Sequence, residues 1–338
     1  MQIDYNVSLK NFNTFGIDVK ADKVITITSE NDIKELIQSR MIAHGQYLVL
    51  GGGSNMVFTS DFHGVVVRMV NKGIKTISVN GNEVMVEAQA GEVWSDFVWH
   101  CINKDYCGVE NLAGIPGTVG ASPVQNVGAY GVEAKDIIHL VRAYDIKTGE
   151  LKVFNNTDCR FGYRNSVFKQ TLKDRYIVAS VIFRLSVDAQ PNLEYRALAN
   201  AVGMKGYRNP SPRQVAETVE EVRDSKLPNP NQIGSAGSFF KNPVVTISVR
   251  DTLLRRYPNL VSYEYDDSHY KLAAGWLIEQ SGWKGKSLGK AGVYEKQALV
   301  LVNRGGCTGR EVYTLAKAIM ADVEDKFGVR LEPEAIII

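Results

Sequence analysis

A run of small residues at 51–55, Gly-Gly-Gly-Ser-Asn, lies between two predicted strands. Successive peptide N–H groups in such a run can bind a diphosphate without a helix dipole. The run does not fit a Walker loop, which closes with Gly-Lys-Ser or Gly-Lys-Thr, or the dinucleotide-binding pattern, because Met56 occupies the position of the third glycine. A diphosphate loop and a simple hairpin turn both remain open.

Three further motifs contain side chains that could take part in chemistry. Arg164 lies among aromatic and apolar residues, where an arginine faces either an anionic ligand or a structural carboxylate. Ser238 stands between small residues and two phenylalanines, so its hydroxyl either faces a cavity or belongs to a solvent-facing turn. Glu332 and Glu334 share one face of a predicted terminal strand, a pattern that is also typical of a solvated sheet edge.

The segment from Cys107 to Gly131 is poor in charge and holds far more glycine than average usage would place there. Its apolar residues argue against a flexible linker, and its interspersed polar residues argue against a membrane span. A buried, irregular segment of this kind suits a close approach of backbone to a bound ligand. A series of tight turns in a β-rich domain is the alternative.

The first half of the chain alternates strand and helix patterns that would position these residues. Ser29 is a predicted N-cap of the first helix. Trp94 and Trp99 of the second are expected to pack in the core, with an aromatic cofactor-binding surface as the alternative. The periodicity predicts strands at 23–28, 46–50, 56–58, 64–70, 74–79, 83–90, 137–146, 151–154 and 176–187, with helices at 31–42 and 93–104.

In the second half, residues 190–212 are punctuated by proline and glycine and predict a boundary. Ser211 and Pro212 then begin a helix that runs to about Lys226, ahead of two prolines. Further along, the pattern predicts a helix at 271–280, a strand at 297–303, a helix opened by a Thr308–Glu311 capping box, and a terminal strand at 329–338.

Composition narrows the class of protein. The chain has 338 residues, 44% hydrophobic and 22% charged, which is typical of a soluble globular protein of two or three domains. Its net charge of +2 gives no electrostatic case for nucleic acid or an anionic membrane surface. Cysteine and histidine spacings do not suggest a metal site. The N-terminal residues lack a signal-peptide core, so a cytoplasmic location is expected.

Eight stretches, taken in order, resemble the UDP-N-acetylenolpyruvoylglucosamine reductase family, the flavoenzymes of peptidoglycan precursor synthesis that are also called UDP-N-acetylmuramate dehydrogenases. The resemblance runs from Asn13 to Glu334, nearly the whole chain. Its motifs are GGGSN (51–55), GVENLAGIPGTVGASPVQNVGAYG (108–131), FGYRNS (161–166), KLPNP (226–230), AGSFFKNP (236–243), LAAGWLIEQ (272–280), QALVLVN (297–303) and LEPE (331–334). Each motif is short, but eight of them in the family's order form a specific signal.

The resemblance implies non-covalent FAD as cofactor and NADPH as hydride donor. It places Arg164, Ser238 and Glu334 on catalytic positions. It places the UDP-sugar against Tyr130, Tyr195, Lys226, Asn242 and Gln297, with Tyr195 on the substrate loop of one subtype. The implied cofactor-binding residues are Gly51, Gly52, Gly53, Ser54, Asn55, Asn111, Ile115, Pro116, Gly117, Val119, Gly120, Gln125, Asn126, Gly128, Ala129, Tyr130 and Gly131.

The fold implied by the resemblance is α+β. It consists of a two-part FAD-binding region of the vanillyl-alcohol-oxidase (PCMH) type and a C-terminal α+β substrate-binding domain. The expected divisions are FAD-binding subdomain 1 at 1–70, joined by the terminal strand at 329–338, FAD-binding subdomain 2 at 71–210, and the substrate-binding domain at 211–328.

The implied reaction is NADPH-dependent reduction of the enolpyruvyl group of UDP-N-acetylglucosamine enolpyruvate to a lactyl ether. The expected partners are this UDP-sugar and NADPH, with a monomeric chain and neither nucleic acid nor membrane. Two alternatives stay open: an oxidase of alcohols or hydroxy acids on the same flavin fold, and a nucleotide-binding module without chemistry. Flavin that stays attached on denaturation would favour the oxidase, and bound ligand without NADPH-driven reduction would favour the module.

Overall fold

The structure is a computed structural model that describes residues 1–230 and 232–338. Its strands are β1 Gln2–Ser8, β2 Lys20–Ile27, β3 Tyr47–Leu50, β4 Met56–Val57, β5 Phe62–Met69, β6 Ile74–Asn80, β7 Glu83–Gln89, β8 Gly128–Ala129, β9 Val132–Glu133, β10 Ile138–Asp145, β11 Leu151–Asn155, β12 Tyr176–Ser186, β13 Ser235–Ser238, β14 Val244–Thr246, β15 Ser262–Asp266, β16 His269–Leu272, β17 Ser287–Leu288, β18 Ala291–Val293, β19 Val300–Asn303 and β20 Ile336–Ile337. Its α-helices are α1 Glu30–Gln38, α2 Trp94–Ile102, α3 Ser122–Gln125, α4 Ala134–Ile137, α5 Arg196–Met204, α6 Pro212–Lys226, α7 Ile247–Arg256, α8 Ala274–Gln280 and α9 Gly309–Phe327. Short 3-10 helices lie at Lys10–Phe12, Glu110–Leu112, Val119–Ala121 and Val167–Lys169.

The chain forms two compact units, and each is built from separate parts of the sequence. The first unit contains Met1–Val7, Ala21–Gly52 and His63–Ser225. The second contains Ser8–Lys20, Gly53–Phe62 and Lys226–Ile338. The division into three domains expected from the sequence stays a prediction.

The core of the first unit lies against an antiparallel sheet with strand order β11-β10-β12-β7-β6. Strand β12 is almost entirely buried, as a central strand covered on both faces should be. Helix α2 packs its aromatic face on this strand, with the rings of Phe97 and Phe183 4.4 Å apart between centroids. Trp94, only 1% exposed, lies in this cluster, which confirms its expected packing role.

A second sheet of the first unit, with strand order β1-β2-β5-β3, positions the Gly51–Gly52 loop. Strand β3 runs parallel to β5, with Tyr47 opposite Val65, and the loop follows its last residue, Leu50. The predicted cap of α1 is confirmed, because the Ser29 hydroxyl accepts from the Asp32 N–H and the Asp32 carboxylate accepts in return.

The second unit combines the sheets β13-β19-β18-β17 and β14-β16-β15 with the short pair β20-β4. Its long helix α9 begins at the predicted Thr308–Glu311 capping box and ends at Gly328, whose φ of 66° is the left-handed conformation that glycine favours. This helix buries an apolar stripe that includes Val312 and Ile319, as its 3.6-residue period predicts.

Several expectations for secondary structure were wrong in part. The helix expected at 31–42 ends at Gln38, and the strand expected at 297–303 begins only at Val300. The terminal strand is confined to Ile336–Ile337, because Pro333 has no N–H with which to continue a ladder, so Glu332 and Glu334 do not lie on a strand. The helix expected at 271–280 begins only at Ala274, because the preceding residues pair in β16. The supposed boundary at 190–212 contains helix α5, whose buried Leu198 and Val202 stand one turn apart.

Candidate active site

Two glycine-containing loops of the first unit lie main chain against main chain. A Cβ atom on Gly52 would lie 3.1 Å from the Gly117 Cα, and one on Gly51 would lie 2.2 Å from the Thr118 Oγ1. Gly52 is itself exposed, so its main chain is accessible to a ligand. Adjacent backbones of this kind can direct peptide N–H groups from both loops at one diphosphate. These residues therefore fit FAD, and a side chain at Gly52 would force the loops apart.

Arg164 contacts the glycine-rich segment at the hairpin formed by β8 and β9. The Arg164 Nη2 donates to the Gly128 carbonyl at 2.9 Å, and a Cβ on Gly128 would lie 3.2 Å from the Arg164 Nη1. Arg164 and Tyr130 both have left-handed backbone, with φ of 53° and 49°. Such conformations cost about 1–3 kcal/mol for residues with side chains and concentrate at functional sites. The predicted catalytic arginine thus lies beside the predicted wall of the flavin.

Several implied cofactor residues have structural contacts of their own. Asn126 is fully buried, and its amide joins the Gly162 carbonyl, the Glu133 carboxylate and the Lys135 N–H. Its side chain therefore fixes the Arg164 segment to the glycine-rich segment. Val119 is buried, and a Cβ on Gly120 would lie 2.6 Å from the Ala90 Cβ. Other members of the set are half-buried or exposed, among them Ile115, Pro116, Gln125, Ala129 and Gly131.

Asn111 connects the glycine-rich segment to the loop of Tyr195. It is 1% exposed, and its Nδ2 donates to the carbonyls of Tyr130 at 2.9 Å and Asn192 at 2.8 Å. The rings of Tyr130 and Tyr195 then meet edge to face with centroids 5.6 Å apart. Burial raises the pKa of the Tyr130 phenol, and the nearby Arg223 opposes that rise. Two of the implied substrate residues are therefore held together by an implied cofactor residue.

Replacing Asn111 with alanine is expected to loosen the Tyr195 loop, because the carbonyls of Tyr130 and Asn192 lose the hydrogen bonds that the Asn111 amide donates to them. We expect roughly a tenfold rise in substrate KM, the change that about 1.4 kcal/mol produces, and faster hydrogen exchange at 190–195. Asn156→Ala is a matched control, because its Nδ2 also donates to two carbonyls, those of Lys135 and Ile138. Equal effects of the two substitutions on KM would contradict the positioning role of Asn111.

In the second unit, Ser238 and Glu334 are brought to adjacent main-chain positions. Ser238 ends strand β13 with its side chain exposed, directly before the buried Phe239. The Glu334 N–H donates to the Phe239 carbonyl at 2.7 Å. Asn55, from the Gly-Gly-Gly-Ser-Asn run, donates through its Nδ2 to the Glu334 carbonyl at 3.3 Å. Residues from three distant parts of the chain therefore surround one strand end.

Gly53, from the same run, is held by a residue that sequence reasoning did not identify. The Thr14 N–H donates to the Gly53 carbonyl at 3.1 Å, and the Thr14 hydroxyl donates to the Ser235 carbonyl at 2.7 Å. Thr14 thereby fastens the run to β13, the strand that presents Ser238. The only sequence signal for this role was its place in the Asn13-Thr14-Phe15-Gly16 stretch at the start of the family resemblance.

Asn242 and Gln297 both lie beside the first residues of helix α8. The Asn242 Oδ1 accepts from the Ala274 N–H at 3.0 Å, which leaves its Nδ2 as a donor for a ligand. The Gln297 Oε1 accepts from the Leu299 N–H at 3.3 Å, and a Cβ on Gly275 would lie 3.0 Å from that oxygen. Lys226 is exposed at the last position of α6. Polar amides and one cation suit the groups of a nucleotide sugar.

None of the helices in the described residues is both long enough and apolar enough to cross a membrane. Across 1–230 and 232–338, no group of three or more His, Cys, Asp or Glu side chains could hold a metal ion. All four cysteines are free thiols and buried.

Comparisons with known proteins match this chain from end to end. The C-terminal domain family of UDP-N-acetylenolpyruvoylglucosamine reductase matches residues 229–338, and an FAD-binding domain family matches residues 21–155. The chain is similar to the UDP-N-acetylenolpyruvoylglucosamine reductase of Bdellovibrio bacteriovorus, with 46% identity over 336 residues and 99% of each chain covered. It is also similar to that of Pseudomonas syringae pv. syringae, with 45% identity over 334 residues, 99% of this chain and 98% of the relative.

A solved structure bears on the fold. The reductase of the same name from Thermus caldophilus superposes with a TM-score of 0.68 at 22% identity, covering 100% of this chain and 99% of the other. The α+β fold with an FAD-binding region and a distinct C-terminal domain is thereby confirmed. Together with the full-length identity to the bacterial reductases, these matches show that the chain belongs to the UDP-N-acetylenolpyruvoylglucosamine reductase family.

Proposed function

We propose that this chain reduces the enolpyruvyl group of UDP-N-acetylglucosamine enolpyruvate to a lactyl ether, giving UDP-N-acetylmuramate for peptidoglycan precursor synthesis. The observation that carries the proposal is the 46% identity over 99% of the chain to a named reductase of this substrate. The clusters around Arg164 and Ser238 supply the residue types that the reaction needs. When bound, FAD supplies the chemistry of hydride transfer from NADPH to the substrate.

Arg164 is the group that we assign to the substrate carboxylate. Addition of a hydride to the terminal enol carbon leaves negative charge on the carbon beside the carboxylate, shared with its oxygens. A guanidinium can contact both oxygens of a carboxylate through parallel N–H groups. Its contact with the Gly128 carbonyl orients the guanidinium before substrate arrives, so little reorganisation is needed as the charge develops.

Ser238 is the proton donor in this proposal, and Glu334 is its partner. The exposed hydroxyl of Ser238 can donate a proton to the carbanion, which is a strong base. The bond from the Glu334 N–H to the Phe239 carbonyl holds the two residues in a fixed main-chain relation. Glu334 then maintains the geometry of the site or donates a hydrogen bond when it is protonated.

The UDP-sugar is assigned to Tyr130, Tyr195, Lys226, Asn242 and Gln297, with Tyr195 on a loop over the substrate. We further propose that the enzyme acts in the cytoplasm as a monomer, without membrane or nucleic acid partners. The buried, unbridged cysteines support a reducing compartment.

Lys226→Ala is expected to raise the substrate KM by roughly 10–150-fold, the equivalent of one charge-assisted phosphate contact of about 1.5–3 kcal/mol. Flavin content should stay at the wild-type level. Lys284→Ala is a suitable control, because it removes the same charge from a surface ion pair with Glu279. A KM that is equal in the two variants would place the diphosphate of the substrate elsewhere.

The overall proposal is tested by NADPH oxidation with and without UDP-N-acetylglucosamine enolpyruvate. We expect oxidation that depends on this substrate, together with flavin that is released on denaturation. Oxidation at the same rate without the enolpyruvyl sugar would contradict the proposal.

A further inference from the structure

Arg223 is a cation on the packing face of helix α6. The buried Val215 and Val219 precede it at intervals of four residues, so all three lie along one side of the helix. Arg223 is itself half-buried. A charged residue in that register is unusual, because the same face of the helix is otherwise apolar.

The side chain of Arg223 is fixed to the glycine-rich segment. Its Nε donates to the Gly114 carbonyl at 3.1 Å. Gly114 has a φ of 67°, and a Cβ there would lie 3.2 Å from both the Cδ and the Nε of Arg223. The absence of a side chain at Gly114 therefore leaves room for the arginine, whose Nη groups are not used in this hydrogen bond.

The charge of Arg223 is not neutralised by an ion pair. Among the described residues, no carboxylate oxygen lies within 4.0 Å of a guanidinium nitrogen of Arg223, the distance that defines an ion pair. Glu220, one turn earlier on α6, instead accepts from the Trp99 Nε1 at 2.8 Å. Burial lowers the pKa of Arg223, while Tyr130, Asp224 and Glu220 act in the opposite direction. A desolvated guanidinium without a paired anion destabilises the chain that contains it.

We propose that Arg223 binds a phosphate group of a nucleotide ligand at the Gly114 end of the glycine-rich segment. This inference rests on the proposed function, which supplies two phosphate-bearing ligands, FAD and the UDP-sugar. The planar fork of a guanidinium matches phosphate oxygens, and a phosphate provides the negative charge that the chain itself does not. An arginine with this role stabilises the complex of the chain with its phosphate ligand, and it does not stabilise the free chain.

Arg223→Met tests the proposal, because methionine preserves most of the apolar stem and removes the charge. We expect binding of one phosphate ligand to weaken by roughly 10–150-fold, with partial recovery in Arg223→Lys. Flavin-free Arg223→Met should resist urea at least as well as flavin-free wild type, since the desolvated charge is gone. Reconstitution of wild type with FAD verifies that flavin-free protein is folded.

The two phosphate sources are distinguished by the quantity that changes. Weaker FAD binding, measured by flavin fluorescence without substrate or NADPH, assigns the phosphate to the cofactor and holds whether or not the reaction is the proposed one. A raised KM for the UDP-sugar with unchanged FAD affinity assigns it to the substrate. Arg213→Met is the control, because this arginine of the same helix donates to the Asn103 Oδ1 at the surface. Unchanged affinity for both ligands, or a less stable flavin-free Arg223→Met, would overturn the proposal.

Discussion

Replacing Ser238 with alanine is expected to slow reoxidation of the flavin by the enolpyruvyl substrate by roughly 10²–10⁴-fold, the usual contribution of a positioned general acid. Reduction of the flavin by NADPH should stay close to the wild-type rate. The reason is that only transfer to the substrate leaves a carbanion that must be protonated. The exposed hydroxyl of Ser238, next to the buried Phe239, is the donor that we assign to this step.

Stopped-flow absorbance separates the two half-reactions. Ser238→Cys should retain more activity than Ser238→Ala, because a thiol can still donate a proton. Ser235→Ala is the matched control, since this serine begins the same strand and is buried. If Ser238→Ala slows both half-reactions equally, Ser238 is a structural turn residue and the assignment is wrong.

Gly52→Val is expected to yield protein without flavin. The first added carbon would lie 3.1 Å from the Gly117 Cα, and the two branches of valine would extend further into that backbone. Because backbone cannot rotate aside as a flexible side chain does, the two loops must separate, and the N–H groups that bind the diphosphate lose their common target.

Flavin content after purification, measured by absorbance against protein concentration, decides this prediction. Gly203→Val is the control, because a Cβ at Gly203 meets open space on helix α5. We expect the control to retain flavin. Wild-type flavin content in Gly52→Val would contradict the role of this loop.

Local patterns predicted much of the secondary structure. The capping boxes at Ser29 and Thr308 and the helix from Pro212 to Lys226 are confirmed, since each depends on residues within one or two turns. Helix α5 was missed because prolines and glycines on both sides of Arg196–Met204 obscure a short helix with two buried positions.

The site itself depends on contacts that periodicity cannot reveal. The bond from Asn111 to the Asn192 carbonyl spans 81 residues, and the bond from Asn55 to the Glu334 carbonyl spans 279. The sequence did not decide whether Arg164 faces a ligand or a carboxylate, and its bond to the Gly128 carbonyl shows that it contacts the glycine-rich segment. The catalytic and substrate roles came from family resemblance, and they stay predictions until the variants are measured.

The measurement that tests the proposed reaction most directly is anaerobic mixing of NADPH-reduced wild-type enzyme with UDP-N-acetylglucosamine enolpyruvate. We predict that the absorption of oxidised flavin returns in proportion to the substrate added. The product should be two hydrogen atoms heavier than the substrate and should carry a lactyl ether. Flavin that stays reduced in the presence of excess substrate, and is reoxidised only when oxygen is admitted, would contradict the proposed function.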